Sequence, residues 1–490
     1  MKHLCGAISG FILIMVIQFA VCSNVVAQNV AWSRTYGGLR NDGAFAVIQT
    51  RDGGIVTAGF SSSFSGNNID DIYLLKTDMQ GNQIWSRTYG GGLQEIATDI
   101  KQTSDGGFIV SGYKQISNVN DPFLMKTDSA GNVIWERTYD YGLGMDDRAH
   151  AVCQTADGGY IFAGQTRIVD QFPHYEMYLV RTDPAGNPLW MRIYGYTPGT
   201  GNDVGLTVIQ LSDGGFVAGG FTQSSIWSSY VQRLTPAGDV MWTKVRPNDY
   251  QSECYNVIAT LDGNLMITGT SVSFTTDTDV LIEKLDMNGN SLWEKIYGGV
   301  DAETGQSIKE LASGGYVLSG MAATQSTSWD MYVMQVNASG DSVWSRKLGG
   351  SSDDRGWAVE TTGDGHLLSA GWVYSFGAGG GDLFLAKMSL QGISAISDPS
   401  ASVNTFELHQ NYPNPFNPST SIRFEIISRG FVDLSVFNSE GRKVDQLMSE
   451  VKSPGNYEIK FNAEGLPGGV YFCRLTSGSN TVTRKMLLIK

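Results

Sequence analysis

From Val30 to Gly392 the chain alternates short apolar runs with polar turns, and four such runs recur in each unit. The first full unit spells them as Ala44–Thr50, Ile55–Phe60, Ile72–Lys76 and Ile84–Tyr89. The runs are nearly continuous in apolar residues, the pattern of strands buried on both faces. Asp52-Gly-Gly and its equivalents at Asp105, Asp157 and Asp213 separate the first run from the second, supplying glycines for positive φ. Asp78-Met-Gln-Gly-Asn82, Asp128-Ser-Ala-Gly-Asn132 and Asp286-Met-Asn-Gly-Asn290 do the same between the third run and the fourth.

The fourth run carries a tryptophan, and these fall at Trp32, Trp85, Trp135, Trp190, Trp242, Trp293 and Trp344, with separations of 53, 50, 55, 52, 51 and 51 residues. Four antiparallel strands in a period of about fifty residues predict an all-β propeller with one blade per period. The chain opens on a Trp-bearing run, Val30–Tyr36, and its last unit stops after a third run, Leu383–Lys387. The N-terminal strand is therefore expected to complete the last blade of a seven-bladed ring, leaving no open sheet edge. Each Trp offers about 150–250 Å² for burial, so the seven are expected to wedge neighbouring blades together.

These units resemble secreted bacterial β-propeller repeat proteins, which pair a Trp-x-(Arg/Lys)-x-(Tyr/Phe)-Gly-Gly segment with Asp-Gly-Gly and a later Lys-x-Asp-x-x-Gly-Asn. The resemblance covers about Val30 to Gly392 and implies architecture, not activity. The later units depart from it: Thr235 replaces the turn Asp, Gln335 the Lys, and Asp364-Gly-His366 the double-glycine turn.

A Ser/Pro-bearing stretch, residues 393–403, reads as a linker, and the composition changes after it. Short alternating segments at Ile422–Ile426, Leu434–Phe437, Tyr457–Phe461, Val470–Leu475 and Lys485–Ile489 predict a small Ig-like β-sandwich over 404–490. Its opening Asn411-Tyr412-Pro413-Asn414-Pro415-Phe416, then Leu466-Pro-Gly-Gly469-Val-Tyr471 and the terminal segment from Lys485, resemble the C-terminal sorting domain of type IX secretion cargo. That resemblance implies passage through the outer membrane by a translocon, and secretion or attachment at the cell surface.

The N-terminus agrees with export. Lys2 precedes an apolar run, Ala7–Val21, too short to span a bilayer comfortably, and Val25-Val-Ala27 offers small residues for cleavage. Residues 1–27 are read as a signal peptide, with no transmembrane segment in the mature chain. Cys153, Cys254 and Cys473 then remain, an odd number read as small buried apolar residues. No Cys/His cluster suggests a metal, and no cofactor is expected. A formal charge of −14 argues against nucleic acid as a partner.

Strand order places the two tight turns on one side of the ring and the variable links on the other. Those links, such as Ile168–Glu176, Thr222–Ser229, Thr324–Trp329 and Trp372–Gly381, carry Phe172, Tyr175, Trp227, Trp329, Trp372 and Tyr374. Variable loops on a rigid frame commonly bind ligands. The same face bears one acid per unit: Asp42, Glu95, Asp147, Asp203, Glu253, Glu303 and Asp354. These form either a charged mouth for a cation or basic ligand, or acceptors for backbone N–H groups at blade junctions, and sevenfold recurrence favours the second. The Asp-x-x-Gly-Asn-x-x-Trp turns resemble the sialidase Asp-box and the quinoprotein Trp-docking repeat, elements that are structural in both families. His150, His174 and His366 show no HExxH spacing or nucleophile elbow. The expectation is a non-enzymatic secreted or surface protein that binds a glycan, peptide or matrix partner. The alternatives are a glycan-active hydrolase or lyase built at the channel mouth from acids such as Asp147 and Asp354, and a purely structural surface component.

Overall fold

The structure, a computed structural model, describes residues 30–142, 145–170, 172–196, 201–223, 226–246, 251–272, 278–299, 301–323, 328–390, 407–408, 411, 413–426, 430–452, 455–477 and 480–489. The expected signal peptide (1–27), the expected linker (393–403) and Tyr412 lie outside the described residues. The chain divides into two compact units, residues 1–393 and residues 394–490.

Among its described residues the first unit contains seven four-stranded antiparallel sheets. Their first strands are Asp42–Gln49, Glu95–Gln102, Arg148–Gln154, Asn202–Gln210, Ser252–Ala259, Glu303–Glu310 and Asp354–Thr361, which define sheets 1 to 7. In sheets 1 to 6 each strand pairs with the next in sequence. Sheet 7 takes its fourth strand from the other end of the unit: Val30–Tyr36 pairs with Asp382–Ser389, with Trp32 opposite Lys387 and Tyr36 opposite Leu383. The first strand of each sheet contacts that of the following sheet, and the circuit returns from Asp354–Thr361 to Asp42–Gln49. The architecture is propeller-like.

The repeated residues are those that join one sheet to the next. Trp32, on the strand completing sheet 7, donates its indole N–H to the Met79 carbonyl of sheet 1 at 3.0 Å, and Trp242 does the same to Met287. Its ring lies against the turn at Gly81, whose φ of +77° and missing Cβ permit the approach. Four residues on, the Tyr36 hydroxyl donates to the Gly81 carbonyl, as Tyr89, Tyr139 and Tyr194 do to Gly131, Gly186 and Gly238. Arg87 and Arg137 bond Ala130 and Ala185 of the same turns. The Trp-x-Arg-x-Tyr segment is thus a clasp around the next sheet's turn, which explains its period.

On the same side, each Asp-Gly-Gly aspartate pairs with a cation from its sheet's third strand: Asp52 with Lys76 at 2.5 Å, Asp157 with Arg181 at 2.5 Å and Asp364 with Lys387 at 2.5 Å. Sheet 6 departs at both ends of the pair, where Gln335 stands for the cation and Ser313 for the aspartate. Replacing both members leaves no buried charge unmatched.

The described residues of the second unit form two sheets. Glu407–Leu408, Ser419–Ile426 and Gly455–Asn462 make one, and Lys443–Lys452, Gly430–Asn438, Gly469–Ser477 and Asn480–Leu488 the other. Phe424 and Phe461 from the first share a core with Leu434, Val436, Tyr471, Cys473 and Met486 from the second. The strand Lys443–Lys452 was not expected from the sequence. It lies at a sheet edge with mostly exposed side chains, so the apolar signal that marks a buried strand is missing.

Candidate binding face

In every sheet the first strand bulges at the same place. The register against the second strand skips one residue each time: Phe45, Thr98, His150, Leu206, Tyr255, Gln306 and Trp357. A bulge re-aims its extra side chain out of the ladder. These seven residues sit on the strands that contact one another around the circuit, and no residue type occurs twice among them. Sequence reading missed this position, because a bulge leaves no signature in an apolar run beyond its change of register.

The predicted acids lie just before the bulges. Asp42, Asp147, Asp203 and Asp354 are fully buried, and Glu95 and Glu253 are half-buried. Several accept backbone N–H groups from the link two residues past the previous sheet's last strand: Gly38 to Asp42 at 2.8 Å, Gly91 to Glu95 at 3.0 Å, Tyr196 to Asp203 at 3.0 Å and Gly350 to Asp354 at 2.7 Å. Asp147 accepts from Tyr141 and Arg167, and Asp354 also from Tyr374 and Ser375. Burial raises Glu303 to about 7, and Glu253 is raised by burial as well.

A second set of acids, missed by sequence reading, faces the first. Asp71, Asp121, Glu176, Asp279, Asp330 and Asp382 begin or nearly begin the third strands, with Ser228 in the corresponding place in sheet 4. Asp330 Oδ1 and Asp354 Oδ2 lie 2.1 and 2.7 Å from where a Cβ on Gly349 would stand, and Asp71 and Glu95 converge likewise on Gly90. At these two junctions the carboxylates take the space that a side chain on the glycine would need, whereas Asp140 stands at the equivalent position after sheet 2. In the sequence of sheet 4, Pro247 stands at the glycine's position and Ser228 at the acid's. Burial, then the neighbouring carboxylates, raises Asp121 and Asp330 to about 6. Among the described residues no group of three or more His, Cys, Asp or Glu is placed to hold a metal ion.

Of the predicted aromatics, Phe172 and Tyr374 are exposed in links. Tyr175, Trp227, Trp329 and Trp372 instead lie in strand ends, because second and third strands extend further into the links than their apolar runs suggested. Trp227 stacks on Phe221 at 4.6 Å, and Tyr175 donates to Asp146. The aromatics are distributed among different sheets, with Trp372 and Tyr374 brought together on sheet 7. His150 and His174 belong to sheet 3 and His366 to sheet 7. His174 bonds Glu176 at 3.0 Å and the Phe172 carbonyl at 2.8 Å.

In the second unit the opening segment is tied to the last strand. The Asn414 side chain accepts the Leu487 N–H at 2.8 Å, the Phe416 N–H donates to the Leu487 carbonyl at 2.9 Å, and the Ile489 N–H donates to Phe416 at 3.0 Å. Phe416 is buried, while Pro413 and Pro415 are exposed. Asn411 is buried and bonds the Pro413 carbonyl and Thr420, and the Tyr471 hydroxyl donates to Pro467. Gly469 and Lys485 face each other's strands in the final hairpin, Lys485 exposed.

Residues 410–490 match the family model of the secretion system C-terminal sorting domain. The chain is thus an all-strand, propeller-like repeat protein that carries a type IX sorting domain at its C-terminus. That domain engages the type IX sorting machinery and directs the protein to the cell surface or out of the cell. Among the described residues no helix is long and apolar enough to cross a membrane.

No curated protein matches the sequence. Similar solved structures include a protein of unknown function from Dyadobacter fermentans, at 11% identity and TM-score 0.42, covering 74% of this chain and 100% of that one. The polysaccharide lyase Uly1 aligns at 9% identity and TM-score 0.46, covering 76% and 94%. The WD40 domain of Toxoplasma gondii coronin aligns at 8% identity and TM-score 0.44, covering 74% and 88%. No activity is carried over from any of them.

Proposed function

We propose that this chain is a non-enzymatic binding or scaffold protein, exported by type IX secretion, whose first unit presents its variable face to an extracellular glycan, peptide or matrix partner. In this reading each sheet is one blade of a closed seven-bladed propeller (28–392), and residues 404–490 form an Ig-like sandwich that serves export. The observation that carries it is the bulge position. Clasps, turns and junction acids recur around the circuit, whereas the re-aimed side chains are Phe45, Thr98, His150, Leu206, Tyr255, Gln306 and Trp357. A frame that repeats while the residues at its bulges diverge is suited to recognition.

The acids at the mouth favour this over catalysis. Asp147 and Asp354, the residues on which a hydrolase or lyase would rest, have their oxygens engaged by backbone N–H groups of the links and, for Asp147, of the strand residue Arg167. Arrays of glycans, peptides and matrix proteins, probed with the chain from residue 28 onward, test the reading alongside glycosidase and lyase substrates. Saturable binding without turnover is the expected result, and turnover abolished by Asp147→Asn or Asp354→Asn would overturn it.

A further inference from the structure

Sheet 7 meets sheet 1 differently from every other junction. Beside each bulged residue stands one from the second strand, paired two positions earlier: Phe60, Tyr113, Gln165, Phe221, Thr270, Met321 and Trp372 in sheets 1 to 7. Only in sheets 1 and 7 are both positions aromatic, and these two sheets are neighbours. Phe45 lies 5.2 Å from Trp357 and 5.3 Å from Trp372, edge to face, and Phe60 lies 5.7 Å from Trp372. Trp357 and Trp372 stack at 5.4 Å with 26° between their planes. The other sheets close the same circuit with Thr98, His150 or Gln306, so the fold does not demand four aromatics here. All four are only half-buried, leaving apolar surface in water that a ligand would cover.

A cleft of about 480 Å³ opens beside this cluster, lined by Ser352, Asp353, Arg355, Trp372 and Tyr374. The Arg355 guanidinium lies over the Trp372 ring at 6.0 Å and donates to Asp353 at 3.2 Å. Among the described residues, Arg355 Nε and Trp357 Nε1 have no acceptor although both atoms are shielded from solvent. Arg355 lines the cleft, and its guanidinium offers N–H donors to a ligand that brings hydroxyl oxygens.

The chemistry of the cleft selects among ligands. Its arginine is already matched by Asp353, so its lining is close to neutral, and the nearby buried acids Asp354 and Asp382 oppose an anion. The four rings pack on one another edge to face and stacked, an arrangement that leaves no cage for a cation. Aromatic surface beside a planar Arg–Asp pair instead suits a pyranose ring, whose C–H face lies on an aromatic side chain while its hydroxyls both donate and accept. Resting on the binding reading above, we infer that the junction of sheets 7 and 1 binds a neutral hexopyranose unit of an extracellular glycan.

Titration of the chain from residue 28 onward with neutral hexose oligosaccharides, uronate oligosaccharides and peptides, followed by calorimetry and tryptophan fluorescence, tests this. Neutral oligosaccharides are expected to bind and perturb the emission, with little dependence on salt. Tyr374→Ala and Asp353→Asn should each weaken that binding by about tenfold, equivalent to about 1.4 kcal/mol. Tyr196→Ala, an exposed aromatic at another junction, should not. Because Tyr374 is exposed, its variant keeps the fold even if a Trp372 variant does not. Binding confined to uronates, or neutral binding unchanged in both cleft variants, overturns the inference. Peptide binding without glycan binding overturns it and leaves the binding reading standing. Failure of every probe, or turnover of one, counts against both.

Discussion

Asp42 and Asp382 place carboxylate oxygens 2.7 and 2.0 Å from one point, the position that a Cβ on Gly37 would occupy. One residue opens sheet 1 and the other opens the third strand of sheet 7, so the pair spans the junction closed by the N-terminal strand. Oδ1 of each has no hydrogen-bond partner among the described residues. Burial, and then the neighbouring carboxylate of Asp42, push Asp382 above the usual carboxylate range.

A pH dependence follows from these pairs. Burial and then a like charge raise Asp330 and Asp121 to about 6, and burial raises Glu303 to about 7. Unfolded Asp and Glu titrate near roughly 4, so this contribution to stability is complete below that pH and is lost as pH rises through 6 to 7. The turn aspartates act oppositely. Lys76 and then Thr50 hold Asp52 at about 2, and Lys284 and then Thr260 do so for Asp262. Their contribution is present above pH about 4 and is lost as pH falls toward 2. Melting temperature should peak near pH about 4–5 and decline toward pH 8, with Glu303→Gln flattening the decline. A Tm that climbs from pH 5 to 8 would contradict this balance.

The sheets were legible in the sequence because each element that joins them is local and repeated. Trp32, Tyr36 and the turn at Gly81 recur together, and the pairing of Val30–Tyr36 with Asp382–Ser389 followed from counting runs. The facing acids were not legible. Asp382 and Asp42 lie at opposite ends of the unit in sequence, and only the closed circuit brings them together. The bulged residues were hidden for a different reason: Phe45 and Trp357 look like ordinary members of apolar strands until the register shows that each faces away from the ladder.

Deleting residues 30–36 should strip sheet 7 of its fourth strand and bare the edge of Asp382–Ser389. It also removes the Trp32 and Tyr36 bonds to the turn of sheet 1. An unpaired edge recruits other chains, so the expected outcome is aggregation or a large fall in Tm by light scattering and calorimetry. A monomeric deletion variant of unchanged stability would show that the circuit does not depend on this strand.

Replacing Asp147 with Ala leaves the Tyr141 and Arg167 N–H groups without their carboxylate acceptor. Loss of such buried bonds costs about 1–3 kcal/mol, measurable by urea unfolding, while Asp147→Asn, which keeps one carbonyl oxygen, should cost less. Calcium should leave the Tm of both the parent and the variant unchanged. A calcium-dependent rise that vanishes in Asp147→Ala would make the acid a metal ligand instead.

The sorting domain should act as a self-contained export address whose opening motif works through structure. Phe416 is buried in the core of the second unit and exchanges backbone hydrogen bonds with Leu487 and Ile489, while Asn414 holds Leu487 through its side chain. The motif therefore pins the last strand, the part of the chain farthest from the repeats in sequence. Truncating Phe416 to Ala removes a core ring at a cost of about 3–5 kcal/mol, comparable with the whole stability of a small domain. In a host with type IX secretion, deletion of residues 404–490 should hold the folded repeat unit in the periplasm, and Phe416→Ala should reduce export in proportion to the unfolding of the domain. Fusing 404–490 to a signal-peptide-bearing reporter should carry the reporter outside. Cell fractionation reads all three, and normal secretion of the deletion would remove the address from this tail.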